Sequence, residues 1–318
     1  MIANHSPAFA VVIPSHRRVD LLERCLQSLA RHAPADCEIL VVDDGSPQAI
    51  VSQLVTQFPG VRILRNDRPL GFCRAANRGI QATSAPIVHL LNDDTKVQPE
   101  WHLAPLEAFS DLRVGSVASL LYYPTPNGDR IDSAGDAYHR GGYAIKSGHG
   151  EPLTEAWLQS RAVFGACGAA AWYRRTALEQ TGLFPESFSA YFEDVDLAYR
   201  LHWAGFTVRY CPESRVLHWG GSSYGQVRMR PKLLRQQSEN EEAVFWRNLP
   251  PHHKLRSLAW HFAVLAGKSL RRWREGTFAP FAMGRLRALL RLPAHLSHRQ
   301  SLIHLPGAQE STSWPLLP

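Results

Sequence analysis

Cysteine is scarce in this chain of 318 residues: Cys25, Cys37, Cys73, Cys167 and Cys211 are odd in number and show no Cys-x-x-Cys spacing. That argues against a disulfide framework or a cysteine zinc site and suits a reducing cytoplasm. No apolar run approaches the roughly 20 residues that a spanning helix needs. No basic stretch precedes the first apolar run at 9–13, so no secretory leader is expected. That run is followed by Pro14-Ser15-His16-Arg17 and not by Gly-x-Gly-x-x-Gly, which weighs against a dinucleotide oxidoreductase. A glycine-rich basic loop early in the chain, as a nucleotidyltransferase would carry, is missing too, and there is no internal repeat. Acidic residues thin out toward one end. Residues 1–224 hold 20 Lys/Arg against 23 Asp/Glu, net −3, whereas 225–318 hold 15 against 5, net +10. The basic part calls for a partner surface of its own.

What remains is an ordinary apolar fraction of 45% arranged in alternating short strands and helices. Apolar runs at 9–13, 38–42, 61–64 and 87–91 read as buried strands, and helices are expected near 21–33, 48–57 and 72–82. Such alternation predicts an α/β fold with a mostly parallel, Rossmann-like sheet flanked by helices. Ligands bind beyond the carboxyl ends of the strands in such sheets, where Pro14-Ser15, Asp43-Asp44 and Asp93-Asp94 all fall. A helix near 99–110 and a strand at 114–121 follow, then a stretch at 122–162 rich in Gly, Pro, Asp and Tyr that reads as a long loop with room for hairpins. Residues 164–172 suggest a tight strand, 193–204 a helix, and 206–210 and 214–217 two further short strands. From about 225 to 299 apolar and basic residues interleave at helical spacing, as in interfacial amphipathic helices, and 300–318 reads as a loose tail. The same helices could instead pack their leucines on the core or on another subunit, which leaves a homo-oligomer open. No nucleic-acid module is recognisable.

Two acidic clusters carry the chemistry. Asn92-Asp93-Asp94 follows a strand and offers the oxygen ligands that Mg²⁺ and Mn²⁺ use to bridge carboxylates to phosphates; its bland alternative is a turn or cap. Phe192-Glu193-Asp194-Val195-Asp196 puts three acids in the first turn of a helix. Helix-dipole complementarity explains acids there, but flanking aromatics could desolvate one of them for general-base work. Asp43-Asp44-Gly45 is either a simple turn or a ligand contact. Arg74 and Arg78 near a helix start could meet a diphosphate, and His218 could complete a metal site.

In order, Pro14-Ser15-His16-Arg17-Arg18, Val42-Asp43-Asp44-Gly45-Ser46, Gly71-Phe72 with Asn77-Arg78-Gly79, Asn92-Asp93-Asp94-Thr95, Gly182-Leu183-Phe184, Glu193-Asp194-Val195-Asp196 with Arg200, and Val216-Leu217-His218 resemble the family 2 glycosyltransferases of GT-A fold. The similarity runs over residues 9–224 and is greatest to the bacterial rhamnosyl- and galactofuranosyltransferase branch. It implies a catalytic domain at 1–224 and a basic helical extension at 225–299. It further implies that Pro14, Ser15, Arg17, Asp43, Asp44, Arg74, Asn77, Asn92 and Asp93 form the donor side. Asp94 and His218 would hold Mg²⁺ or Mn²⁺, Asp194 would be the base with Glu193 beside it, Trp219 would face the acceptor, and Asp196 would be either structural or in contact with the acceptor. The activity implied is inverting transfer from a dTDP-rhamnose or UDP-hexose type donor to a saccharide or lipid-linked saccharide in cell-envelope polysaccharide synthesis. The location implied is the inner face of the cell membrane, as a peripheral cytoplasmic protein. A related protein that has lost catalysis but still binds saccharide is the competing reading.

Overall fold

The computed structural model describes residues 7–219, 231–250, 254–308 and 316–317. The chain begins β1 (Phe9–Ser15), α1 (Val19–His32), β2 (Cys37–Asp43), α2 (Ile50–Val55), β3 (Val61–Arg65), α3 (Phe72–Gln81) and β4 (Ile87–Leu91). β1 pairs in parallel with both β2 and β4, and β2 with β3, so the first four strands make the expected parallel unit. Helix α3 lies flush on this unit because Gly79 faces Val12 and Val42, where any Cβ would collide.

After β4 come β5 (Thr95–Val97), α4 (Leu103–Ala108), β6 (Val114–Thr125), β7 (Gly128–Ser133), β8 (Asp136–His139) and β9 (Tyr143–Lys146). Then follow β10 (Arg161–Val163), β11 (Ala170–Arg174), α5 (Arg175–Thr181), α6 (Glu193–Trp203) and β12 (Thr207–His218). The large sheet runs β10-β12-β6-β11-β4-β1-β2-β3, with β5 on β12 and β7 on β6. β11 enters antiparallel between β4 and β6, so the sheet is mixed beyond its parallel half. The stretch at 122–162 is largely ordered: it supplies β7, β8, β9 and β10, and β8 and β9 belong to a separate small sheet. Residues 164–169 are not a strand, which starts only at Ala170, and the two expected strands at 206–217 are one, β12, with an irregularity between Cys211 and Arg215.

The C-terminal part folds as α7 (Pro231–Asn248), α8 (Lys254–Arg274), α9 (Phe278–Leu290) and α10 (Leu292–Leu302), with β13 (Leu316–Leu317) beside β8. Helix α7 packs against α6 and α9, so this extension shares the core: Ala243 and Val244 join the same apolar cluster as Leu197 and Leu201. The expected boundary at 224–225 lies outside the described residues, as does the stretch Gly220-Gly221-Ser222-Ser223, whose composition suggests a turn. None of the described helices is long and apolar enough to cross a membrane. All five cysteines are free and buried or half-buried, and burial pushes every thiol pKa up, to about 12 for Cys25 and Cys37 and about 11 for Cys211.

Candidate active site

Strand pairing assembles the first half of the site. β5 runs antiparallel to the end of β12, which sets His218 opposite Thr95, and the Trp219 N–H donates to the Asp94 carbonyl at 2.9 Å. The Asp94–His218 juxtaposition is thus built into the backbone. Nε2 of His218 lies 3.3 Å from the buried Oδ1 of Asp94, within ion-pair distance. The other ring nitrogen, Nδ1, is 2.8 Å from Oδ2 of Asp132, a fully buried carboxylate that also holds Lys146 at 3.2 Å. Burial opposes charge on Asp132, but hydrogen bonds from His149 and His218 and the charge on Lys146 hold it well below the usual carboxylate range. An ionised carboxylate only accepts, so Nδ1 carries a proton.

Arg18 caps the acidic pair from outside, Nη2 to Asp93 Oδ1 and Nη1 to Asp94 Oδ2, both at 2.8 Å. Ser15 donates to the second Asp93 oxygen at 2.8 Å. The two neighbours move apart: burial pushes the Asp93 carboxyl up despite Arg18, whereas His218 and Arg18 pull Asp94 down against its burial. The charged partner here is Arg18; Arg17, the residue singled out beforehand, is exposed.

The second half is the start of α6. Ser189, Tyr191 and Phe192 all have positive φ, 62°, 71° and 67°. Left-handed backbone at non-glycine residues costs about 1–3 kcal/mol each and persists only where surroundings over-determine it. Helix α7 supplies the restraint. Asn240 Nδ2 donates to the carbonyls of Phe188, Ala190 and Tyr191 at 2.9–3.0 Å, and Gln236 Nε2 to Phe188 and Ala190. This turn delivers Asp194, half-buried, with Oδ2 accepting the Gly168 N–H and Oδ1 the Val195 N–H, each at 2.8 Å. Glu193 beside it is buried with Oε2 unpaired, and burial together with the Asp194 charge raises its pKa. Asp136, also buried, is raised for the same two reasons.

One cavity of about 700 Å³ joins the halves: Asn92, Asp136, Lys146, Gly168, Glu193, Asp194 and His218 line it, and it reaches Lys268, Arg271 and Arg272 of α8. Asp194 and His218 thus line the same cavity, whereas Asp94 is not among its lining residues and lies behind it against His218.

Other candidates are used up inside the protein. Asn77 forms a two-way clamp on the Phe184 backbone, donating at 2.9 Å and accepting at 3.0 Å, so it ties α3 to the 182–184 segment. Asp196 is fully buried and held by Arg200, Arg247 and Asn248 at 2.8–3.0 Å; both oxygens are occupied away from the cavity, which removes it from acceptor contact. Asp43 is also fully buried and binds Ser46, Ser52 and Arg65. Asp44 accepts from Asn66 and from the Leu70 and Gly71 N–H groups at 2.8–2.9 Å. Both aspartates shape the strand-end turn. Pro14 is buried in β1, and Arg74 pairs with Glu186 at the surface. Trp219 stacks under the Arg24 guanidinium, 5.7 Å from its ring centre, next to α1. Asp132, Asp136, Lys146, Gln236 and Asn240 are absent from the sequence reading; the aspartate content of 122–162 is a signal for the first two.

Residues 10–182 match the family described as Glycosyl transferase family 2. An N-acetylglucosaminyl-diphospho-decaprenol L-rhamnosyltransferase of Mycobacterium tuberculosis is 30% identical over 283 residues, 80% of this chain and 91% of its own length. The protein y4gI of Sinorhizobium fredii is 29% identical over 249 residues, and the match spans only 27% of that longer chain. Among solved structures, GalNAc-T7 with UDP, GalNAc and Mn²⁺ aligns with TM-score 0.63 at 16% identity, over 99% of this chain and 59% of that one. The mannosyltransferase PcManGT from Pyrobaculum calidifontis in complex with GDP-Man and Mn²⁺ aligns with TM-score 0.54 at 16% identity, over 98% of this chain and 89% of that one.

Proposed function

The chain belongs to glycosyl transferase family 2 and has the GT-A fold; on that premise we propose that it transfers a sugar with inversion from a nucleoside-diphosphate donor to a lipid-linked saccharide. The observation that carries this reading is the placement of Asp194 at the cavity wall, its carboxylate fixed by the Gly168 N–H, across from His218 and Asn92. A dTDP-rhamnose or UDP-hexose type donor would lie over the strand ends at Pro14, Ser15 and Asn92, with Asp43 and Asp44 holding the wall behind it. Arg18, which bridges Asp93 and Asp94 at the strand ends, would be the cation for its phosphates.

Asp94 and His218 would hold Mg²⁺ or Mn²⁺. The fit rests on a buried Asp94 oxygen 3.3 Å from a histidine nitrogen whose ring is fixed on its other side by Asp132. Among the described residues no three His, Cys, Asp or Glu side chains cluster as a cation site, so phosphate and water oxygens would complete the shell, as is usual for these ions. When bound, the ion supplies positive charge to the departing diphosphate.

In the transfer itself, Asp194 takes the proton from an acceptor hydroxyl as that oxygen bonds to the anomeric carbon from the face opposite the leaving group. The bond from that carbon to the diphosphate oxygen breaks, and its electron pair leaves with the nucleoside diphosphate. Glu193, kept protonated by burial, adds no second negative charge beside the base. The relative's lipid-diphosphate acceptor supports a place for this chain as a peripheral protein on the cytoplasmic face of the cell membrane, in envelope polysaccharide synthesis. Incubation with dTDP-, UDP- and GDP-sugars, Mn²⁺ and a polyprenyl-diphosphate saccharide tests the reading, with the product's anomeric configuration read by NMR. A product that retains the donor's configuration would overturn the single displacement.

A further inference from the structure

Surface helices of a soluble protein put polar residues outward. Helix α8 reverses this. Ala259, Phe262, Ala266, Leu270 and Trp273 recur every three or four residues and all are exposed, Phe262 by 63% and Trp273 by 71%. At 1.5 Å per residue they form one stripe about 20 Å long. The inner face of the same helix is packed, with Ser257 and His261 buried. Helix α9 repeats the pattern: Phe281, Gly284 and Ala288 are buried, while Met283, Leu286 and Leu290, the last 74% exposed, point away. The rings of Trp273 and Phe278, 6.0 Å apart, join the two stripes at the turn between the helices. Ten of the fifteen exposed large apolar side chains among the described residues lie between 260 and 303.

Charge identifies what covers this surface. Residues 254–302 carry ten Lys/Arg and one acid, Glu275, and Arg256, Arg271, Arg274, Arg287 and Arg291 are exposed beside the stripes. Two copies of such a face would repel each other, whereas an anionic bilayer satisfies both the apolar stripe and its basic border. We propose that the outer faces of α8 and α9 dock on an anionic lipid surface. The proposal rests on the lipid-linked-acceptor reading above and adds the contact surface: since the cavity holding Asp194 reaches Lys268, Arg271 and Arg272 of α8, docking brings that cavity up to the headgroups.

The test is flotation of the full chain with phosphatidylcholine vesicles, with and without phosphatidylglycerol, at low and high salt. The wild-type protein floats with the anionic vesicles and less so in high salt. The double variant Phe262→Ser/Trp273→Ser loses roughly tenfold or more in partitioning, and Arg256→Ala and Arg274→Ala each lose about fivefold on anionic vesicles only. Absence of binding to either vesicle, or full binding by the double variant, overturns the proposal. So does a wild-type dimer by light scattering that the double variant dissolves, which would make the face a self-interface. Donor turnover on a water-soluble acceptor stays unchanged in the double variant. If the transferase reading fails instead, that turnover is missing from both proteins while flotation persists.

Discussion

Nδ1 of His218 and Oδ2 of Asp132 are 2.8 Å apart, and neither oxygen of Asp132 reaches solvent. This hydrogen bond fixes the ring so that Nε2 of His218 faces Asp94, the arrangement that the proposed metal site would use. Partners of this kind typically contribute 10–100-fold in metal affinity. Asp132→Asn is therefore expected to weaken Mn²⁺ binding, measured by calorimetry, by about 10–100-fold. In a His218→Ala background the same change should have almost no further effect. An equal loss in both backgrounds would mean that Asp132 acts through the general fold and not through the histidine.

Asp194→Asn keeps the side chain's size and one acceptor for the Gly168 N–H. Donor binding, followed by thermal shift with nucleotide and Mn²⁺, should survive, while kcat falls by about 10²–10⁴-fold, the usual contribution of a placed general base. Wild-type turnover in this variant would assign the base elsewhere, with Asp136 as the next carboxylate on the cavity wall.

Asn240 restrains the left-handed turn ahead of α6 through three carbonyls. Asn240→Ala should cost about 1–3 kcal/mol, because buried acceptors lose their donor, and should lower kcat as Asp194 loses its fixed position. Asn240→Asp, which sets an acceptor against the same carbonyls, should be worse than alanine in both chemical denaturation and turnover. If alanine lowered stability alone, the turn would not be what positions Asp194 for the proposed proton transfer.

Burial opposes the charge on Asp196, but Arg247 and Arg200 outweigh it and bring its pKa down to about 2. A depressed folded-state pKa means that its stabilisation is complete above the unfolded value near 4 and drains away as pH falls toward 2. The pH-dependent part is roughly 2 kcal/mol. Asp196→Asn should be clearly less stable than wild type at pH 7, and that gap should narrow between about pH 4 and 2. A gap of constant size would show that the ion pairs contribute nothing through charge.

Local pattern carried much of this architecture and part of the site. Alternation in β1, β2 and β4 placed Ser15, Asp44 and Asp93 at strand ends, and the acids before Leu197 marked the start of α6. Residue type alone could not say what each polar group would meet. Asn77 lies 107 residues from the Phe184 backbone it clamps, and Asp196 lies 52 from Asn248; the sequence offers Asn77 as a donor contact and leaves Asp196 between a structural and an acceptor role, while the fold uses both as ties. Asp132 was hidden for the opposite reason. Its stretch has no clean period, because short strands with a register shift beside Leu121 build it, and its histidine partner is 86 residues away. Gln236 and Asn240 sit in a region whose composition advertises basic charge, which drew attention from two neutral amides.

The buried thiols have a practical corollary. With four of the five sulfhydryls buried, Cys37 half-buried and all of them shifted away from the thiolate, maleimide reagents would find little to modify on the folded protein. An Ala266→Cys substitution on the outer stripe would then be the reactive handle of choice, so that a spin label or fluorophore could report immersion depth without first stripping the chain of its own cysteines.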